Sequence, residues 1–403
     1  MDFSAFEKAY AYTVFKDKSV LSPSYVPTRL VCREEEEFKL SNILFLGVKD
    51  GFLPPMVRVF GKPGSGKTVV VKRVLEEFSA YTGNVFRYFY VNLKNCRTVF
   101  SAGNALLSAV CGQKVPVNLG LDRVFLELWT AVEKMKNDGV LFFVFVLDEA
   151  DSIFLDIHFD ASDFFYRIIR ASTTIPELNE AKICVITITN NLTGLEENLD
   201  ARVKSSMGSE FIFFSGYTKE TLEEILRSRI DDAFEPNQVT DEVLSYCAEL
   251  AAESGGDARK AIELLKIGGE NTVAKYGKVK KETIRNANKE VENGAIIEVL
   301  RSFPMEAEAV TFLLAVYALN TEKTVTTMMF YSYYSRMSFG EGVKKLGQRR
   351  VLDIINDLEK YGILNTCNVS KGRGGYRKEI NLAIDPQIII DYNSRQGGFK
   401  TTI

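Results

Sequence analysis

The sequence has a single histidine, His158, in 403 residues. A histidine-based triad or a multi-histidine metal centre therefore has little to be built from. Its six cysteines (Cys32, Cys96, Cys111, Cys184, Cys247 and Cys367) are scattered and form no Cys-x-x-Cys pair. That argues against structural zinc and against a disulfide framework, and it suits a reducing cytoplasm. Long apolar runs are also missing. The stretch 140–147, eight residues, is among the longest, whereas a membrane-spanning helix needs about twenty. Asp2, Glu7 and Lys8 stand where a signal peptide would need apolar residues, so a cytoplasmic location with no membrane partner is expected. Repeats and low-complexity linkers are absent. An excess of charge is absent too: 50 Lys and Arg face 53 Asp and Glu, for a net charge of −3.

That balance hides a local asymmetry. Residues 344–378 hold nine Lys or Arg against three acids, a basic patch on an otherwise acidic chain. Such a patch points to one dedicated anionic partner surface. At this length the chain is too long for one ordinary core, and two or three domains are expected.

In the first half, β-branched and aromatic runs at 56–60, 85–93, 140–147 and 182–189, with a fifth at 211–214, alternate with helical patterns. Val70, Val71, Val74, Leu75 and Phe78 recur at helical spacing between the first two runs. Near-continuous apolar strands alternating with helices predict an α/β fold whose parallel sheet is covered on both faces. From Tyr217 to about Glu292 helical periods dominate, with Thr218 and Thr240 as expected N-caps. The acidic run 34–37 reads as a helix start, where carboxylates suit the dipole. A third section begins near Glu298. It predicts helices at 305–319, near 325–337 and at 348–361, then a short hairpin around 369–382, which is a winged-helix layout.

Gly61 to Thr68, GKPGSGKT, fits the phosphate-loop pattern in its required context, after a strand and before a helix. Gly61, Gly64 and Gly66 let backbone N–H groups turn inward on phosphates, with Pro63 and Ser65 between them. Lys67 is positioned for the β- and γ-phosphates of ATP, and Thr68 for Mg²⁺. About eighty residues later an apolar strand ends in Asp148 and Glu149. Asp148 is expected in the Mg²⁺ shell and Glu149 beside the attacking water. Asn190 ends the next strand, where an amide can reach the γ-phosphate or the water. Arg202 and Arg259 follow in that order.

The C-terminal section reads as a binder of duplex DNA. Gln348, Arg349, Arg350, Asn356 and Lys360 are polar positions on a helix whose other face, Val351, Ile354, Ile355 and Leu358, is core. Gly372, Gly374 and Gly375 make a hairpin tip carrying Lys371, Arg373, Arg377 and Lys378. Such a helix enters the major groove, and a basic wing reaches the minor groove.

This order of motifs resembles that of the AAA+ ATPases. Within them the chain closely resembles the archaeal replication initiators of the origin-recognition-complex and cell-division-control family. The segments LSPSYVPTRLVCREEE, VNLKNCRT, LDEADSI, ITNNLTGLEENLDARVKSS, LAAESGGDARKAIELLKIGGE and LGQRRVLDIINDLEKYGIL carry the likeness together with the phosphate loop. It implies an AAA+ nucleotide-binding core with an N-terminal arm over 1–216, a helical lid over 217–297 and a winged helix over 298–403. Asn190 becomes the sensor-1 residue, Arg202 an arginine finger acting on a neighbouring subunit, and Arg259 the sensor-2 arginine. Val26, Pro27, Arg29, Val69, Tyr217 and Ile225 join the expected nucleotide contacts, and Arg97 a second DNA contact. The implied function is ATP-regulated binding to origin DNA, with ADP as the product of slow hydrolysis. Recruitment of the replicative helicase, assembly with other copies or paralogues on DNA, and a place on the nucleoid are also implied. A regulatory paralogue and a branch-migration ATPase are the alternatives.

Overall fold

The computed structural model describes residues 14–22, 25, 31–96, 98–113, 120–156, 160–272, 277–321, 325–338, 344–370 and 376–395. The chain divides into two units, Met1–Ile284 and Arg285–Ile403. The division falls inside one helix, Lys281–Arg301.

The first unit is built on β1 (Met56–Gly61), β2 (Phe86–Asn92), β3 (Phe142–Asp148), β4 (Lys182–Thr189) and β5 (Phe211–Phe214). They pair in parallel in the order β2-β3-β4-β1-β5. Helices α1 (Glu34–Asp50) and α2 (Lys67–Thr82) cover one face; α3 (Val99–Cys111), α4 (Leu121–Asn137) and α5 (Ala161–Ile169) cover the other. Every residue of β3 is buried, because the strand has helices on both sides. Phe143, Phe145 and Leu147 pack with α3 to α5. Phe142, Val144 and Val146 pack with α1 and α2. This double burial is why the strand reads as a continuous apolar run rather than an alternation.

The period of two also positions the site. Val57 and Val59 on β1, Val144 and Val146 on β3, and Ile186 and Ile188 on β4 all face α2. Gly61, Asp148 and Asn190 continue those three series at the carboxyl ends of the strands. The sequence pattern therefore delivers three functional positions to the helix that begins with the phosphate loop.

The short α6 (Ala201–Ser206) leads into β5, after which the unit continues into α7 (Lys219–Ala233), α8 (Asp241–Glu253) and α9 (Ala258–Glu270). Thr218 caps α7 by accepting from Thr221 N. Thr240 stands at the N-cap of α8 without a side-chain bond.

The second unit holds α10 (Met305–Leu319), α11 (Thr327–Tyr334), α12 (Gln348–Lys360) and α13 (Pro386–Arg395) around a small sheet. Its strands β6 (Val325–Thr326), β7 (Leu364–Ser370) and β8 (Tyr376–Leu382) lie in the order β6-β8-β7, all antiparallel. One expectation is corrected here. The helix expected near 325–337 loses its first two residues to β6, because Val325 and Thr326 pair with Ile380 and Glu379. Thr326 then caps the shorter α11 from the strand end. Val351, Ile354, Ile355 and Leu358 of α12 are buried in the core of this unit as the stripe predicts.

Candidate functional site: a phosphate cleft

The loop between β1 and α2 needs glycine at three places. Gly61, Gly64 and Gly66 have φ of 154°, 68° and 92°. At Gly61 a Cβ would lie 2.1 Å from the Phe214 carbonyl oxygen. At Gly64 it would lie 1.7 Å from Asp257 Oδ1. Gly66 is the N-cap of α2 and has no side chain to satisfy the first N–H groups, which leaves them for an anion.

The loop borders an open cleft lined by Pro63, Gly64, Ser65, Gly66, Lys67, Thr68, Asp148, Glu149, Ile188, Thr189, Asn190 and Arg259. Lys67 Nζ donates to Gly61 O and Lys62 O at 2.8 Å and to Asn190 Oδ1 at 2.9 Å. Burial pushes the ammonium down to about 8, and the positive charge of Arg259 adds to the shift. Thr68 Oγ1 donates to Asp148 Oδ2 at 2.8 Å. Glu149 N donates to Asp148 Oδ1 at 2.9 Å. Glu149 itself has φ of 55°, the left-handed region. That backbone is uncommon for a residue with a Cβ, and such outliers cluster at functional sites.

A divalent metal fits this donor set. Asp148 is a carboxylate only 5% exposed, and the Thr68 hydroxyl lies beside it. Two hard oxygens next to a phosphate loop match Mg²⁺, which takes one or two protein oxygens and completes its shell with phosphates and water.

The second wall of the cleft comes from the α9 end. Asp257 caps α9, its Oδ1 accepting from Arg259 N at 2.8 Å and Lys260 N at 3.3 Å. Ala258 N donates to Gly64 O at 3.3 Å, so the start of α9 rests on the tip of the phosphate loop. This contact carries Arg259 into the cleft.

Among the other expected contacts, Tyr217 stands beside the cleft, its hydroxyl 2.6 Å from where a Cβ on Gly66 would lie. Val69, Tyr217 and Ile225 are not among the lining residues; Ile225 is buried in α7. Arg202 is outside the cleft and exposed, with Nε 2.8 Å from Asp200 Oδ2. In the second unit Arg349 and Arg350 are exposed in the first turn of α12. Arg377 Nε donates to Glu379 Oε1 at 2.7 Å, and Lys378 Nζ to Asn356 Oδ1 at 2.6 Å. Val26, Pro27, Arg29, Arg97, Lys371, Arg373 and His158 lie outside the described residues.

Two residues near the site escaped the sequence reading. Arg33 is 4% exposed. It donates to Glu36 Oε1 and Ser215 O at 2.6 Å and stacks 4.1 Å from the Tyr217 ring centre. Tyr90 donates from its hydroxyl to Asp148 Oδ2 at 2.7 Å. Burial, then the hydrogen bond and charge of Asp148, push the Tyr90 phenol pKa up. The strand parity that picks out Asp148 also picks out Tyr90, and no motif does.

Comparison with known proteins agrees with this geometry. Residues 57–211 match the family model of ATPases associated with various cellular activities. Residues 223–289 match the Cdc6 AAA+ ATPase-type lid domain, and residues 298–392 the CDC6 C-terminal winged helix domain. The chain is 35% identical over 380 residues to the ORC1-type DNA replication protein 1 of Sulfurisphaera tokodaii, covering 94% of this chain and 92% of that protein. It is 33% identical over 381 residues to the protein of the same name from Archaeoglobus fulgidus, covering 94% and 90%. The solved structure of the Aeropyrum pernix ORC1 protein in complex with DNA superposes with a TM-score of 0.76 at 31% identity, covering 95% of this chain and 97% of that one.

Proposed function

Because the chain belongs to the family of archaeal ORC1-type DNA replication proteins, we propose that it is a nucleotide-switched replication initiator that binds origin DNA. The observation that carries the proposal is the convergence of Lys67, Thr68, Asp148, Glu149, Asn190 and Arg259 on one cleft. The same chain carries a second unit whose helix α12 opens on the exposed pair Arg349 and Arg350. ATP binds with its β- and γ-phosphates on the loop N–H groups and Lys67. Thr68 and Asp148 would hold Mg²⁺, which would supply positive charge to neutralise the phosphates. Glu149 orients water, Asn190 reads the γ-phosphate, and Arg259 reports it to the lid helices over 217–297. Hydrolysis to ADP is slow and acts as a switch.

In the winged helix over 298–403, Arg349 and Arg350 contact duplex DNA from the end of α12, and the wing cations Lys371, Arg373 and Arg377 contribute beside them, while Lys378 braces the wing against Asn356. Arg97 adds a contact from the core. The chain then recruits the replicative helicase, acts with other copies or paralogues on DNA, and resides on the nucleoid in the cytoplasm. No helix among the described residues is long and apolar enough to cross a membrane.

The test is a footprint on origin DNA with ATP, with ADP and without nucleotide, followed by helicase loading on the same DNA. Nucleotide-dependent protection with loading supports the proposal. Protection without loading makes the chain a repressor or accessory paralogue, and no protection removes the DNA reading.

A further inference from the structure

We propose that Tyr90 is a positioning residue that fixes the carboxylate of Asp148 for the metal of the nucleotide site. The proposal deepens the reading of the cleft above and rests on it. Tyr90 stands on β2, opposite Val146 of β3, two residues before the Asp148 register partner Asn92. Its parity turns it towards α2, where it packs partly buried with that face of the core. Its hydroxyl and the Thr68 hydroxyl donate to the same oxygen, Asp148 Oδ2, at 2.7 and 2.8 Å. Glu149 N holds the other oxygen at 2.9 Å.

These three donors are not equivalent. Thr68 lines the cleft and shares its oxygen with the cation in the proposed complex. The Glu149 N–H belongs to a turn with a strained backbone at the catalytic position. Tyr90 does not line the cleft. Its bond to Asp148 therefore need not change when nucleotide arrives. Lys72, one turn past Thr68 on α2, places Nζ 3.8 Å from the centre of the Tyr90 ring. A cation over a ring face is attractive and holds the plane of the ring. Tyr90 thus ties Asp148 to the helix that carries the phosphate loop. A partner of this kind orients a metal-binding carboxylate and tunes its affinity.

The test uses the full chain and a fluorescent ATP analogue in two equilibrium titrations, one with Mg²⁺ and one with EDTA. Tyr90→Phe keeps the ring and its place under Lys72 and removes one hydroxyl. The expected result is a rise of about tenfold to a hundredfold in the Mg²⁺ concentration needed for half-maximal tightening, with unchanged affinity in EDTA. In an Asp148→Asn background the same change should add nothing. An unchanged Mg²⁺ midpoint overturns the proposal. So does an equal loss in both titrations, which would mean that the hydroxyl only supports packing. Lys67→Ala separates the two levels of the argument. If it binds the analogue as the unaltered chain does, the phosphate-cleft reading itself fails and takes the role of Tyr90 with it.

Discussion

Asp200 holds Arg202 by the same carboxylate that caps its helix. Oδ1 accepts from Val203 N at 2.9 Å, while Oδ2 accepts from Arg202 Nε at 2.8 Å. The guanidinium is thereby presented at the surface, away from the cleft of its own chain. In the proposed role of an arginine finger it would act on a neighbouring subunit. ATPase activity per subunit is expected to rise with protein concentration, or on DNA with adjacent sites. Arg202→Ala should abolish that rise, since such fingers are worth roughly 10³-fold or more. Asp200→Asn should keep the cap and reduce the rise partially. A rate independent of concentration, with Arg202→Ala silent, leaves Arg202 as a surface ion pair.

The lowered pKa of Lys67 makes nucleotide binding pH-dependent. Without ligand the ammonium loses its proton near pH 8, yet phosphate binding needs it charged. ATP affinity should therefore be flat below about pH 8 and fall about tenfold per pH unit above it, with proton uptake on binding. Fold stability runs the other way. Between about 8 and the ordinary lysine value of 10.5 the unfolded chain holds the proton that the folded chain has released, so this group's contribution rises with pH. Calorimetry in buffers of different ionisation enthalpy measures the uptake. Equal heats in all buffers at pH 9 would count against a neutral Lys67.

Glu149→Gln separates binding from turnover. The amide keeps the size and left-handed backbone of the residue, and Asp148 still holds the metal. Affinity for ATP should stay within about threefold, while single-turnover hydrolysis should drop by about 10²–10⁴-fold, the range for a general base. Hydrolysis at the original rate would move the water-activating role elsewhere.

The cations of the second unit should divide into two classes. Lys378 is bonded to Asn356 of α12, and its Nζ lies 3.6 Å from Glu359. Glu359 in turn accepts from Thr366 N and Oγ1. That network ties the wing strands to the helix. Arg349 and Arg350 are exposed and stand apart from this network. Lys378→Met should lower the melting temperature and leave the salt dependence of DNA binding nearly unchanged. Arg349→Ala or Arg350→Ala should leave the melting temperature alone. Either should reduce the log–log salt slope by about one for a phosphate contact. Fluorescence anisotropy across a salt series decides between them; a slope change for Lys378→Met and none for the arginines would reverse the assignment.

Much of the cleft is legible in the sequence because its parts are covalently local. The loop 61–68 is one segment, and Asp148, Glu149 and Asn190 each end an apolar strand. Tyr90 and Arg33 are not legible in that way. Tyr90 meets Asp148 across a strand pairing 58 residues apart in the chain, and Arg33 meets Ser215 across 182. Nothing in either local pattern announces the partner. The short β6 is hidden for a related reason. Val325 and Thr326 look like a helix start until β8 supplies their ladder partners, an override of local propensity by tertiary pairing. The pairing of Lys378 with Asn356 is equally invisible, because a run of cations reads alike whether its members face solvent or acids.

The order of the central sheet has a mechanical meaning. β1, which feeds the phosphate loop, never touches β3, which carries Asp148 and Glu149; β4 lies between them and pairs with both. The strand that leads into Asn190 is therefore a shim. A change in the distance between loop and acids strains its two ladders, and Lys67 already grips Asn190 at its tip at 2.9 Å. Asn190 thus stands where the width of the gap can be felt from both sides at once.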